Sequence, residues 1–348
     1  MRIVCQLPTD DWARVRRRAA WAEAAGYDGV TTSELAHDPF MPLAIASQAT
    51  EQVALGTSIA VAFPRSPMIA ANLGFDLNAQ SGGRFELGLG SQVKGHNERR
   101  FSTPWTAPVP RLREYVEAIR AIWRCWEYGE KLKYEGEHYQ ITLMTPEWSP
   151  KKAGFAPPPI SLAAVGPHML KMAGRVADGV RLHGFCTRKY IENVCMPKVE
   201  EGMALSGRKR EALEVSGGGF IATGPDAAAV QEKLDWVRYR VGFYGSTRTY
   251  LPVFEQHGLE ELGLKLHKLS VEGKWSELAS HVSDDVVRLF AAVGDYDDLP
   301  RAAAERYGGV VDTLRLDLPD DIDPDQHKDL IARLKAIPSR FEAFQTAA

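Results

Sequence analysis

The 348-residue chain has no surplus of either charge: 42 Lys plus Arg against 45 Asp plus Glu leave a formal net charge of −3. A nucleic-acid coat or a polybasic membrane anchor needs a clear cationic excess, so neither partner is expected. Long hydrophobic runs are missing as well. Mean hydropathy is −0.25, and no apolar stretch approaches the roughly 18 residues of a membrane span. Cysteine is scarce. Four residues, Cys5, Cys125, Cys186 and Cys195, are no disulfide framework. They form no CxxC pair and have no flanking ligand histidines, so no structural zinc site is expected. They read as reduced, mostly buried thiols. The N-terminal segment MRIVCQLPTDDW carries Asp10 and Asp11 where a signal peptide would need an apolar centre. It reads as the first strand of a cytoplasmic protein.

Several catalytic signatures are also missing. No GxSxG elbow supports an esterase triad. No HExxH or paired His–carboxylate motif points to a catalytic metal. The stretch GLGSQVKG at 88–95 has glycines and a lysine but lacks the GK[ST] ending of a phosphate loop. Residues 7–12, LPTDDW, follow the first strand without the GxGxxG turn of a dinucleotide-binding open sheet.

What is present is a globular composition, 45% hydrophobic and 25% charged, arranged as an alternation. Strands are predicted at 2–7, 28–33, 53–62, 84–91, 159–165, 178–184, 213–222 and 309–316. Most are apolar at successive positions, as strands covered on both faces are. Helices are predicted at 11–25, 110–128, 167–176, 187–205, 225–240, 284–293 and 299–307. The first carries Trp12, Val15, Ala19, Ala22 and Ala25 on one face and meets a stop at Gly26. Pro225 and Asp226 read as a helix start. Eight βα units close most naturally into a (β/α)8 TIM barrel formed by one domain, 1–348. Two stretches break the repeat: 129–158, a hairpin followed by a Pro-rich loop, and 242–283, a helical excursion.

In such a barrel the reactive groups follow the strand C-termini. His37 beside Asp38 reads either as a general acid held by a carboxylate or as part of a helix-start cluster capped by Asp38. His96 lies in the polar loop after the fourth strand. His168 opens a helix after a GP turn. Arg188 and Lys189 also open a helix, where cations are disfavoured; a bound phosphate would relieve that conflict, and an ordinary solvated pair is the plainer alternative. Trp123 and Trp126 read as core or interface.

Five segments in order resemble the bacterial luciferase-like superfamily, and within it the oxidoreductases that use the deazaflavin coenzyme F420. They are AAWAEAAGYDGVTTSE (19–34), VALGTSIAVAFPRSPMIAA (53–71), LNAQSGGRFELGLGSQ (77–92), AAVGPHMLKMAGRVADGV (163–180) and VGDYDDLPRAAAERY (293–307). The resemblance implies a barrel of that type and a cis peptide at the end of the third strand, at Ser58–Ile59 with Ala60 beside it. It implies cofactor contacts from Glu34, Ser91 and Gln92. It also implies phosphate-side contacts from Val165, Gly166, Pro167 and His168, and from Arg188 and Lys189. The sugar-phosphate dehydrogenases of that branch have a His after the acidic residue and a Glu after the fourth strand. Here Leu35 and Val93 stand there, so His37 and His96 are taken as the catalytic candidates. The expected activity is hydride transfer between F420 and a small organic substrate held by Phe63 and Trp105. An FMN-dependent two-component monooxygenase and a non-catalytic cofactor-binding protein are the alternatives. A homodimer is expected from the resemblance, with helix surfaces such as Trp123 and Trp126 available to it.

Overall fold

The computed structural model describes residues 1–344. Its centre is a closed parallel barrel. The strands are β1 (Arg2–Gln6), β2 (Gly29–Thr32), β3 (Ala54–Thr57), β4 (Phe85–Gly90), β5 (Ile160–Ala164), β6 (Gly179–Leu182), β7 (Glu214–Gly217) and β8 (Thr313–Arg315). They pair in parallel in the order β3-β2-β1-β8-β7-β6-β5-β4, and β3 closes on β4. The (β/α)8 barrel anticipated from the alternation is therefore present. Its strands are buried on both faces because helices cover the outside while side chains fill the inside, and this is why they read as apolar runs.

The helices follow local chemistry. Helix α1 (Trp12–Ala25) starts on Asp11, whose carboxylate accepts the Arg14 N–H at 3.0 Å. It stops at Gly26, with φ 92°. Val15, Ala19, Ala22 and Ala25 are buried as expected, but Trp12 is 57% exposed. Helix α2 (Pro108–Tyr128) buries Trp123 and Trp126 inside the protomer. The Trp123 indole N–H donates to the Ala71 carbonyl at 2.9 Å, and Trp126 meets the Phe75 ring edge to face. Neither tryptophan is a free surface, so the interface role considered for them falls away. Helix α3 (Ala227–Gly245) is capped by Asp226, and Pro225 precedes the cap rather than opening the helix.

Two expectations at the β7 side are corrected. The run 213–222 is not one strand. Gly217 and Gly218 take φ values of 82° and 78° and turn the chain out of the barrel. Phe220–Ala222 then pairs in parallel with Ala291–Val293, outside the barrel sheet. Those latter residues were expected in a helix, which ends at Phe290. The segment between is helical, as anticipated for 242–283. In the other excursion Tyr134–Glu135 and Gln140–Ile141 form the expected hairpin. Among the described residues no helix is long and apolar enough to cross a membrane.

The N-terminal end of the barrel is plugged by charge. Arg2 donates to Glu86 at 2.6 Å and to Glu214 at 2.5 Å, and Thr313 donates to Glu214 at 2.6 Å. Burial works to raise the Glu214 carboxyl, but Arg2 and Arg181 outweigh it and hold it below the usual range. The opposite end, where the strands finish, is open to function.

Candidate functional site

The rim is shaped first by β3. The peptide Ser58–Ile59 is cis, as the sequence resemblance implies. Neighbouring strands hold this turn. The Ser58 N–H donates to Thr32 O at 2.6 Å, the Ser33 hydroxyl donates to Ser58 O at 2.8 Å, and the Glu34 N–H donates to Ile59 O at 3.1 Å. Beyond the turn, Ala60 and Val61 pair with β4. Gly88 on β4 makes the close approach feasible: a Cβ there would fall 1.9 Å from the Thr57 carbonyl oxygen. The Thr57 hydroxyl instead bridges the Gly88 N–H and carbonyl.

Glu34 is largely committed to this scaffold. Its Oε2 accepts the Val61 N–H and the Arg65 guanidinium, both at 2.7 Å. Its Oε1 has no hydrogen bond among the described residues, so one lone-pair face remains for a ligand. Arg65 continues to Asp38 Oδ2 at 3.0 Å. The Asp38 Oδ1 accepts the Phe40 N–H and so caps the next helix. Both Asp38 oxygens are thus engaged away from His37, which is exposed. The capping alternative describes Asp38.

After β4, Ser91 and Gln92 begin a tight loop in which Gln92 takes φ 57°. Its organiser is Asn97, fully buried, whose amide donates to Ser91 O at 2.9 Å and Val93 O at 3.1 Å. His96, on the same turn, is exposed. Arg100 donates to the Leu35 carbonyl and ties this loop to the one after β2. Next to it, Phe63 and Trp105 meet edge to face, and Arg111 lies over the Phe63 ring at 4.3 Å.

After β5, Val165 and Gly166 lead into helix α4 (residues Pro167–Val176), with Pro167 in the first turn. The helix bonds begin with Leu170 N–H to Gly166 O, which leaves the His168 and Met169 amides unbonded within the described residues. The His168 side chain is exposed. After β6 the outcome differs from the phosphate reading of Arg188. Its guanidinium donates to Glu192 at 2.9 Å, Glu305 O at 3.0 Å and Gly308 O at 3.1 Å. That places its charge on the C-terminal end of the helix Leu299–Tyr307, where a cation is favoured. Lys189 is exposed.

His183, directly after β6, escaped selection as a site residue, although a histidine ending an apolar strand was the available signal. It stacks on Tyr250 at 4.9 Å and meets Tyr244 edge to face at 4.6 Å. Its Nδ1 accepts the Phe185 N–H at 3.0 Å, which puts the proton of the neutral ring on Nε2. Burial, and secondarily the Arg240 charge, lower its pKa to about 4. The mouth thus carries a neutral donor at pH 7. Away from it, Glu114, Glu137 and His138 could together face a cation, but the Glu114 carboxylate already accepts the Glu137 and His138 amides.

Comparison with known proteins supplies independent findings. Residues 4–313 match the family model for luciferase-like monooxygenases. The chain is 44% identical over 302 residues to the uncharacterized protein Rv1360 of Mycobacterium tuberculosis, covering 87% of this chain and 89% of that one. It is 28% identical over 289 residues to a 5,10-methylenetetrahydromethanopterin reductase of Archaeoglobus fulgidus, covering 80% and 81%. The structure of the coenzyme F420 dependent tetrahydromethanopterin reductase from Methanopyrus kandleri superposes with a TM-score of 0.74 at 22% identity, over 97% of this chain and 98% of that one.

Proposed function

Since the chain belongs to the luciferase-like monooxygenase family, we propose that it is a coenzyme F420-dependent oxidoreductase acting on a small organic substrate at the C-terminal mouth of the barrel. The observation that carries this reading is the joint presence, on one rim, of the hydrogen-bonded backbone that follows β3 and the unbonded amides opening α4. The first offers a backbone ledge against which a flat ring can lie. The second is a helix N-terminus of the kind that takes phosphate. The residues present therefore fit a ring carrying a phosphate. When bound, F420 supplies hydride chemistry.

The chain's own groups would divide the remaining work. The Ser58–Ile59–Ala60 backbone, Ser91 and Gln92 bound the ring site, with Glu34 Oε1 free to accept from it. Val165 and Gly166 lead into the phosphate side, Pro167 sets the first turn without an N–H of its own, and His168 would present its amide to the phosphate. Lys189 is free to reach an anionic tail, whereas Arg188 would have to leave three partners to do so. His37 and His96 sit on the two loops joined by Arg100 and stay candidates for proton transfer to substrate. His183 holds a proton at Nε2, flanked by the Tyr244 and Tyr250 rings.

The putative coenzyme F420-dependent oxidoreductase Rv3520c of Mycobacterium tuberculosis, 28% identical over 302 residues, supports F420 over FMN. The test is a titration of the purified protein with oxidised F420, followed by its visible absorbance and by calorimetry. Saturable micromolar binding is expected. Absence of binding, with FMN bound instead and oxygen-dependent turnover on reduced FMN, would replace this reading with the monooxygenase one.

A further inference from the structure

Helix α3 lays one face along the mouth beyond β6 and β7. Trp236, Arg240 and Tyr244 recur every four residues on that face. The Arg240 guanidinium lies 5.0 Å from the Trp236 ring centre and 5.7 Å from that of Tyr244. Tyr244 meets His183, the residue that ends β6. Phe220, just past β7, meets Trp236 at 5.8 Å and packs on Gly184, where a Cβ would fall 2.9 Å from its ring. These contacts make one continuous wall of aromatic faces, running from the end of β6 outward to Trp236, which is 48% exposed.

Within this wall Arg240 stands out by what it lacks. Among the described residues it makes no hydrogen bond and no ion pair. Its neighbour Arg238 shows the usual outcome, with ion pairs to Asp284 at 2.5 Å and Asp235 at 3.5 Å and a bond to Val282 O at 2.7 Å. Arg240 is half-buried between rings, so it has given up part of its water without gaining a carboxylate. A guanidinium stacked on aromatic faces keeps its N–H edges free for a planar, bidentate anion. His183, which the Arg240 charge reaches, stays neutral and adds no competing charge.

We propose that this wall is the substrate subsite of the enzyme, and that it takes a flat, conjugated anion whose charged group pairs with Arg240 while its rings or double bonds lie on Trp236, Tyr244 and Tyr250. The inference rests on the mouth being the reaction site. It adds the substrate class, which neither the barrel nor the relatives decide. Carboxylate and phosphate monoester share the required chemistry.

The test uses the full chain without cofactor, with benzoate, phenyl phosphate, inorganic phosphate and benzyl alcohol as probes. Binding is read by quenching of tryptophan fluorescence, assigned with Trp236→Phe, and by thermal shift. Benzoate or phenyl phosphate is expected to bind at least tenfold more tightly than benzyl alcohol, which has the ring without the charge. Whichever binds more tightly names the anion. Arg240→Gln should weaken that binding at least tenfold, Arg240→Lys should retain part of it, and Arg238→Gln should leave it unchanged. Equal binding of benzyl alcohol, full binding by Arg240→Gln, or inorganic phosphate binding as tightly as phenyl phosphate would each overturn the proposal. A parallel F420 titration separates the two readings. Arg240→Gln that loses F420 but keeps benzoate makes Arg240 a cofactor contact and overturns the subsite. Wild-type protein that binds benzoate through Arg240 but not F420 keeps the subsite and overturns the cofactor.

Discussion

His183 illustrates how a single side chain acquires its chemistry from neighbours. Its Nδ1 is occupied by the Phe185 N–H, and two tyrosine rings hold the imidazole plane. Burial first, and Arg240 second, disfavour the charged form, so the pKa falls from 6.5 to about 4. The unfolded chain takes up a proton near pH 6.5, whereas the folded chain resists until about 4. Stability from this residue is therefore complete above pH 6.5 and is lost as pH falls through that window, by at most about 3 kcal/mol. His183→Gln removes the titration. Urea denaturation at pH 7 and pH 4.5 should show a smaller drop for the variant than for wild type. Equal drops would mean that the ring already shares its proton with solvent. Glu34 teaches the same lesson in the other direction. Its carboxylate resembles a ligand contact in sequence, yet in space Oε2 is a brace between Val61 and Arg65.

At the scale of elements, the barrel depends on how closely β3 and β4 approach where the chain turns at Ser58. Hydrophobic pattern places both strands, but only a glycine at 88 lets the Thr57 carbonyl come so near. Gly88→Ala should cost about 3 kcal/mol or more, since the obstructing atom is backbone and cannot rotate away. Chemical denaturation would read this as a lowered midpoint, and F420 affinity should fall with it because the ledge moves. A variant with wild-type stability would show that the turn has slack. Helix boundaries behaved differently. Gly26 and Asp226 act within one turn of chain, so they were readable directly. The break at Gly217–Gly218 was not, because apolar residues continue through Phe220–Ala222 and only a partner strand at 291–293 separates the two pieces.

At the scale of the whole molecule, the ends of the barrel differ in kind. The N-terminal end is closed by Arg2 between two carboxylates. Replacing that cation leaves Glu86 and Glu214 facing each other with little water. Arg2→Met should destabilise the protein by about 3–5 kcal/mol at pH 7. The sign of the pH effect is informative. In wild type the lowered Glu214 carboxyl gives stability that is present at neutral pH and lost in acid. Without Arg2, only Arg181 and the Thr313 hydroxyl still oppose burial, so the Glu214 carboxyl rises relative to wild type and the gap to wild type should narrow near pH 5. Thermal unfolding at both pH values checks this; a constant gap would mean water fills the site.

The order of βα units, the helix caps and the fold were determined by the chain alone, because hydrophobic periodicity and capping act over a few residues and five family segments kept their sequence order. The roles of individual polar groups were decided only by tertiary structure. Arg188 lies next to a helix start in sequence but on another helix's C-terminus in space. Trp123 and Trp126 are on a helix face that only packing against α2's neighbours shows to be interior. His183 and Arg240 lie 57 residues apart and meet through Tyr244. Charge and hydrogen bonding are settled by whichever partners arrive within about 3 Å, and those partners come from distant parts of the chain.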